Sequence, residues 1–494
     1  MIIDFHAIVG NSPRTGRNWS LRDLEVWADR CGSNLLIVES AEARIRMLDE
    51  PLDELLRSCR AWGNRFLPAA TIVLESDGHS VHVARTARAR GFVAVVLHGR
   101  LFEESRILHQ ILEELRRAPV PIYRELPYEE LDAAFRLARP YPDLRFVFAP
   151  RGFQALELNH RLCELPNVHF SCARTLYSLG QVETACRVVG ANRLLYASDL
   201  PQQHPGRPLG ALFDAEISDA ERRRILSGTA SELLAAYGVV VAPKDGAWTA
   251  PEPPCPIVDT HCHIGSDYRR PDFDSSVDAA VRFLDRAGGE VMYVSDTEAV
   301  FGDVVAGNLR TLRAMRAHPG RIRGYLVINP WMGQGCLDDV RRCREMGFAG
   351  LKPYPSVFGH KLSDPVMEPV WQLAEELKLP VLCHSDAADL RRVLGKRPTV
   401  RMLAAHMSFE YAEKARLARE FPGVVLEISG AGEGVEDVVQ AVQIAGEDKL
   451  VFGSDLNSIG LRYTLFPVLC SGLPERTVRA ILRENAMRFF QIPP

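Results

Sequence analysis

The 494-residue sequence predicts an α/β protein built of two tandem (β/α)8 TIM-type barrels, and three observations carry that expectation. One internal repeat runs in a single register through both halves. Each half alternates short apolar runs with longer amphipathic ones, the pattern of strands wrapped by helices. The polar residues that stand out fall where apolar runs end, the rim on which such barrels carry their chemistry.

The repeat is read residue by residue. Ile2-Ile3-Asp4-Phe5-His6 aligns with Ile257-Val258-Asp259-Thr260-His261 at an offset of 255. At an offset of 256, Gly91-Phe92-Val93-Ala94 aligns with Gly347-Phe348-Ala349-Gly350, Leu195-Tyr196-Ala197-Ser198-Asp199-Leu200 with Val451-Phe452-Gly453-Ser454-Asp455-Leu456, and Ile225-Leu226 with Ile481-Leu482. A register held over about 225 residues marks a duplicated domain, because chance similarity drifts. Residues 241–256, VAPKDGAWTAPEPPCP, hold five prolines and no apolar period, which reads as an extended linker. The expected domains are therefore 1–240 and 257–494.

In the second half the apolar runs predict strands at 257–261, 290–294, 323–328, 348–352, 380–384, 401–405, 423–428 and 450–453. Helical stretches such as Pro365–Leu377 and Ser408–Glu420 lie between them. An open doubly wound sheet is the competing architecture, but no G-x-G-x-x-G follows a first strand.

Composition bounds the function. The chain is 47% hydrophobic and 25% charged with a net charge of −4, so nothing points to nucleic acid or an anionic membrane. There is no leader-like N-terminus and no apolar run of spanning length. The 11 cysteines are scattered without a C-x-x-C pair. They read as reduced, mostly buried thiols in a cytoplasmic protein.

The chemistry begins at Asp259-Thr260-His261-Cys262-His263. Alternation in a strand turns His261 and His263 to one side and Cys262 to the other, which makes half of a metal site. Further histidines end the fifth and sixth strands, in Val381-Leu382-Cys383-His384 and Ala404-Ala405-His406, and Asp455 ends the eighth. Imidazoles and a carboxylate suit zinc and similar divalent ions. Lys352 ends the fourth strand; by itself it reads also as a solvent-reaching lysine, the lesser alternative.

The order His-x-His, strand-four Lys, strand-five His, strand-six His, strand-eight Asp resembles the amidohydrolase superfamily. More narrowly it is similar to amidohydrolase family 2, which includes the aminocarboxymuconate-semialdehyde decarboxylase group. Gly350-Leu351-Lys352-Pro353-Tyr354-Pro355, Leu379-Pro380-Val381-Leu382-Cys383-His384 and Glu484-Asn485-Ala486 add to the likeness. The resemblance implies that His261, His263, His384 and Asp455 hold one divalent metal, with zinc the first expectation. It implies that His406 sits just outside that set and polarises the substrate. Asp455 would take the proton from a metal-activated water while His406 stabilises the oxyanion. Lys352 would be either carbamylated, bridging two metals, or unmodified, anchoring an anionic substrate. Asp259 reads as a strand-packing residue. Tyr354 and Arg462 are candidates for the mouth of the site.

The first half has lost most of this set. His6 and Asp199 remain, but Ile8, Val96, Glu125 and Pro150 replace His263, Lys352, His384 and His406. This half reads as a degenerate, inactive barrel. His79 and His82 read as loop and helix residues. Family members often pair, so the copy would serve as a built-in partner through intramolecular barrel–barrel pairing, with homo-oligomerisation as the further option. Arg14, Arg17 and Arg151 are candidates to reach the partner's mouth. The leading expectation is a hydrolase of an amide, ester or lactone in a small polar molecule. A metal-dependent decarboxylase of an unsaturated or aromatic acid is the alternative, and a non-catalytic metal-binding scaffold the third.

Overall fold

The structure is a computed structural model. It describes all residues except 13–15, 75–76, 102–104, 151–159, 174–177, 242–248, 267–273, 408–409, 431, 433 and 493–494. Arg14 and Arg151 lie outside the described residues. The chain divides into two compact units, Met1–Ala250 and Pro251–Pro494.

The first unit is a sheet of β1 (Ile3–Asn11), β2 (Asn18–Trp19), β3 (Leu35–Ser40), β4 (Phe66–Val73), β5 (Ala94–His98), β6 (Ile122–Leu126), β7 (Phe146–Pro150), β8 (Val168–Ser171) and β9 (Leu194–Leu195). Its spatial order is β2-β1-β3-β4-β5-β6-β7-β8-β9. Only β2 runs antiparallel, as a two-residue addition to β1. The second unit is β10 (Ile257–Ile264), β11 (Gly289–Asp296), β12 (Ile322–Ile328), β13 (Gly350–Pro353), β14 (Val381–His384), β15 (Met402–Ala405), β16 (Val424–Glu427) and β17 (Leu450–Val451), in sequential order. Parallel neighbours need a crossover between them, and the helices supply it, for example Glu368–Glu376 between β13 and β14.

Each unit is thus an α/β assembly around a parallel sheet, and the ends of each sheet come together. In the first, Phe5 N–H donates to the Tyr196 carbonyl, Ile8 N–H to Leu200 and Asp199 N–H to His6. In the second, Thr260 N–H donates to Phe452, His263 N–H to Leu456 and Asp455 N–H to His261. Strands covered on both faces read as continuous apolar runs; Val381, Leu382 and Cys383 are all fully buried. The inner clusters gather Ile3, Phe5, Val96, Tyr123 and Val147 in one unit and Val258, Tyr293, Tyr325, Leu382 and Leu403 in the other.

The strand bounds differ from the sequence expectation in ways that matter for the site. The run expected to end at His261 continues to Ile264, because Cys262 pairs with Val294 and His263 with Ser295. The two histidines therefore sit inside a paired strand. The strand expected from 348 begins at Gly350, after a turn in which Gly347 has φ +88°, a left-handed conformation that glycine adopts at little cost. The last strand shortens to Leu450–Val451 as the chain turns towards Asp455.

The two units match in fine detail. Asp199 and Asp455 both have φ 58°, an unusual backbone for a non-glycine residue. Asp4 accepts from Ser198 N–H at 2.9 Å, and Asp259 from Ser454 N–H at 2.9 Å. Asp259 thus joins the first strand to the segment after the last. Arg224–Gly228 and Ala480–Glu484 are both single π-helical turns.

Candidate metal centre

The alternation of β10 brings His261 and His263 together on one side, ring centroids 5.3 Å apart. His384 ends β14 and His406 follows β15. The His261 ring lies 5.1 Å from that of His384 and 4.9 Å from that of His406. His263 Nε2 is 3.1 Å from Asp455 Oδ1, and His261 Nε2 is 3.7 Å from the same oxygen. The Nε2 atoms of His261 and His384 are 3.3 Å apart.

These donors form two overlapping groups of three, each close enough for one ion: His261, His384 and His406, and His261, His263 and Asp455. The four residues expected to share a metal do not form a single group of four here. His261 belongs to both groups, and His406 stands among the donors rather than apart from them.

Lys352 is where the structure departs furthest from a bland reading. It is fully buried, not solvent-reaching. Its Nζ donates to His261 Nε2 at 2.8 Å and to His384 Nε2 at 2.9 Å. Burial pushes its amine down to about 7, against the pull of Asp455 and Glu427. An amine near that value gives up its proton readily when a cation arrives, because desolvation has already made the ammonium costly.

Two residues that sequence reading missed hold the rings in place. Glu427, at the end of β16, is fully buried. Its Oε2 is 2.8 Å from His261 Nδ1 and accepts from Ser429 Oγ at 2.8 Å, while its Oε1 accepts from Ser429 N–H at 2.5 Å. Ser429 Oγ is in turn 2.5 Å from His406 Nδ1. With the hydroxyl donating to Glu427, His406 Nδ1–H donates to the hydroxyl, and both rings carry their proton on Nδ1 and a lone pair on Nε2. A partner at the far nitrogen that fixes the tautomer is what a metal-binding imidazole needs. The signal was in the sequence: Val424-Val425-Leu426-Glu427 is an apolar run closing on a carboxylate, the rule that found the histidines.

Tyr354 lies within the cluster. Its hydroxyl is 3.2 Å from Ser295 Oγ and 3.5 Å from His263 Nδ1, and Lys352 Nζ stands 5.2 Å from its ring centroid. Arg462 donates to the carbonyl oxygen of Arg286. Arg17 pairs with Asp23 and covers Trp19. His79 and His82 lie on the helix Asp77–Arg90.

The electrostatics favour a cation. Burial, then Lys352 and the neighbouring rings, hold His261 and His384 well below the ordinary imidazole value. Burial pushes His406 down to about 4, against Asp455. Burial opposes the charge of Asp455, yet the bond from His263 holds its carboxyl below the usual carboxylate range. Burial pushes Glu427 up to about 8. The chain thus presents neutral imidazole lone pairs beside an ionised carboxylate, a nitrogen–oxygen donor set that fits a divalent transition ion.

In the first unit Val96, Glu125 and Pro150 stand on β5, β6 and β7 at the places of Lys352, His384 and His406. None of them is an imidazole or an amine. His6 and Asp199 are joined, Nδ1 to Oδ1, at 2.6 Å.

Comparison with known proteins gives a family and a set of similar folds. The profile of the family described as amidohydrolase (Amidohydro_2) matches residues 35–235 and again 258–492. No curated protein matches the chain. Among solved structures, a 2,6-dihydroxybenzoate decarboxylase from Rhizobium is similar at 14% identity and TM-score 0.42, covering 48% of this chain and 99% of its own. A 5-carboxyvanillate decarboxylase from Novosphingobium aromaticivorans with bound manganese is similar at 12% and 0.42, covering 48% and 97%. A putative amidohydrolase from Staphylococcus aureus is similar at 12% and 0.41, covering 48% and 99%.

Proposed function

The chain belongs to the amidohydrolase family, and we propose that its second unit is a metal-dependent hydrolase of an amide, ester or lactone bond in a small polar molecule. The observation that carries this reading is the convergence of His261, His263, His384, His406 and Asp455, with Nε2 and carboxylate oxygens 3.1–3.7 Å apart where the structure pairs them. His261, His263, His384 and Asp455 are the proposed ligands, with zinc the first candidate. A divalent ion at that place supplies Lewis-acid polarisation of a substrate oxygen and of water.

The residues around it divide the remaining work. Asp455, ionised and itself one of the proposed ligands, accepts a proton from the attacking water. His406 has a lone pair at Nε2 and no proton there, so it becomes a donor to the developing oxyanion or leaving group only after taking up a proton. Glu427 and Ser429 keep His261 and His406 in the tautomer that this requires. Lys352, once its hold on His261 and His384 is released, presents an amine to an anionic substrate group or to carbon dioxide as a carbamate.

Metal-dependent decarboxylation is the second reading. Its support is the buried Lys352 amine beside the proposed ligand histidines: an N–H donor to a carboxylate next to a Lewis acid suits loss of that carboxylate. A panel of small esters, lactones, amides and unsaturated or aromatic acids, incubated with metal-loaded protein, separates the two. A new carboxylate with no gas supports the hydrolase, and evolved carbon dioxide supports the lyase. Turnover of neither class, with metal bound, leaves the scaffold reading in place.

The wider proposal is two tandem (β/α)8 barrels, residues 1–240 and 257–494, of which the first is non-catalytic and pairs with the second. Expression of 257–494 alone should then give poorly soluble or weakly active protein, and a stable, fully active monomer would refute the pairing. Among the described residues no helix is long and apolar enough to cross a membrane. The cysteines are free and all but Cys186 are buried, which supports a reducing, cytoplasmic setting.

A further inference from the structure

The first unit has a buried polar centre of its own, built from residues that the metal reading does not use. His6 Nδ1 lies 2.6 Å from Asp199 Oδ1, and its Nε2 lies 3.0 Å from Glu39 Oε1. The other oxygen of Glu39 lies 2.8 Å from His98 Nε2 and accepts from Thr71 Oγ1 at 3.3 Å. Tyr123 stacks on the His6 ring, centroids 4.2 Å apart, and its hydroxyl donates to Asp199 Oδ1 at 3.3 Å. Asp199 is 0% exposed, and His6 and Glu39 are 2% exposed. At the offset of 256, Glu39 stands where Ser295 stands, and His98 where Tyr354 stands.

The geometry suits a charged ring. With Asp199 and Glu39 ionised, each carboxylate oxygen accepts and cannot donate, so each ring nitrogen of His6 gives a proton to the oxygen it faces. A ring with both nitrogens protonated is a cation and has no lone pair for a metal. Glu39 also takes up Nε2 of His98, the other imidazole of the chain Asp199–His6–Glu39–His98. Buried carboxylates favour a positive neighbour, since an unpaired buried charge is strongly unfavourable, and the His6 ring lies between Asp199 and Glu39.

We propose that the centre of the first unit is a metal-free ionic site whose resident cation is the His6 imidazolium, clamped between Asp199 and Glu39, and that this site accepts a free imidazolium ion, not a divalent metal, when the His6 side chain is removed. The proposal does not depend on what the second unit catalyses. Charge states agree with it. Burial opposes the cation, but Asp199 and Glu39 hold His6 up at about 10. Burial opposes the Glu39 anion as well, but His98 and His6 hold its carboxyl well below the usual range. Asp4, which also faces this centre, is pushed up to about 7 by burial. A raised imidazole stabilises the fold fully below its ordinary value and progressively less as pH climbs through about 10. A depressed carboxyl stabilises above its ordinary value and less as pH falls. The His6 clamp is therefore strongest between the ordinary carboxylate and imidazole values and weakens towards alkaline pH, while the Asp4 contribution is lost earlier, between its ordinary value and about 7.

The test uses the full chain with ring-15N-labelled histidine. At pH 8 one doubly protonated ring should be seen that survives chelator and disappears in His6→Gln. A His6 ring that is singly protonated at pH 8, or a loss of one metal equivalent in His6→Gln, overturns the proposal. In His6→Gly the melting temperature should fall and be restored by added imidazole at neutral or mildly acidic pH, with no such gain in the parent. Restoration by Zn2+ or Mn2+ and not by imidazole overturns it too. Should His6→Gly fail to fold, Asp199→Asn decides: the surviving ring should lose its second proton at a lower pH, and an unchanged titration refutes the clamp.

Discussion

His261 and His6 occupy the same place on the first strand of their units, and the two rings are in opposite states. His261 gives one proton to Glu427 and turns a lone pair towards Lys352 and His384. His6 gives both protons away, to Asp199 and Glu39. The backbone that carries them is the same, down to the left-handed aspartate after the last strand. What differs is where the carboxylate stands. In the second unit it comes from β16, as Glu427, and Ser171 holds the matching place on β8; in the first it comes from β3, as Glu39, where the second unit has Ser295. His261 has one carboxylate within hydrogen-bonding distance, at Nδ1, with Asp455 3.7 Å from its Nε2, which leaves a lone pair for the proposed metal. His6 has a carboxylate within 3.0 Å of each nitrogen, which suits the proposed built-in cation. Two matched units thus differ around one ring while the contacts that join their first and last strands stay the same.

The comparison breaks most completely at the ligands. His261→Ala/His263→Ala should abolish metal binding and turnover, because both donor groups lose His261 and one loses a second member, whereas His6→Ala should leave the metal content unchanged. Elemental analysis of dialysed protein gives the answer, and equal metal loss in both variants would sink the assignment. Next in size is the matched aspartate pair. Asp455→Asn removes the proposed proton acceptor and should lower kcat/KM by about 10²–10⁴-fold, the usual contribution of general-base catalysis. Asp199→Asn should stay within a few-fold of the parent and lower only the melting temperature. Equal losses would mean that both units are catalytic, and a loss in Asp199→Asn alone would mean that the active unit has been assigned backwards.

Much of this was legible before the structure, for identifiable reasons. A repeat offset of 255–256 and apolar runs ending in histidine are linear features, and they located His261, His263, His384, His406 and Asp455. What linear reading missed was the support around those residues, supplied by side chains from distant strands. Glu427 is 166 residues from His261, and no local pattern says that its carboxylate reaches that ring. Lys352 stood out in the sequence as a strand-four lysine, but its burial was not legible there, because lysine is usually exposed; in the structure it is fully buried among the imidazoles. In the first unit the search for lost ligands kept His6 and Asp199 but passed over Glu39 and His98, which stand at positions where the second unit has Ser295 and Tyr354.

Glu427→Gln sharpens the comparison from the other side. It keeps the shape but weakens the acceptor for His261 Nδ1–H and for Ser429, so it should lower metal affinity by about 10–100-fold, as loss of a ligand's supporting hydrogen bond does. Ser171→Ala, at the matching place in the first unit, should leave metal affinity alone. Competition titration with a chromogenic chelator measures both, and an unchanged affinity in Glu427→Gln would remove Glu427 from the centre.

The smallest expected effect probes why two otherwise matched strand ends differ by a single methyl group. Gly453 and Ala197 share a position, each followed by Ser-Asp. A Cβ at Gly453 would collide with the Glu427 carboxylate and lie 2.8 Å from the Cβ of His261. The residue is glycine because Glu427 needs that space, not because of an unusual φ. With serine on the matching strand of the first unit, the alanine methyl fits and is fully buried. Gly453→Ala must push Glu427 or the His261 backbone aside, and overpacking of this kind costs about 1–3 kcal/mol. Ala197→Gly only removes a methyl and loosens the backbone, at about 0.5–1 kcal/mol. Denaturant melts of the two variants compare the costs, and metal titration adds the discriminating readout: Gly453→Ala should weaken binding together with stability, while Ala197→Gly should leave binding untouched. Combining Gly453→Ala with Glu427→Ser, the first unit's own pairing, should recover part of the lost stability while binding stays weak. If stability does not recover, the glycine answers to something other than the carboxylate.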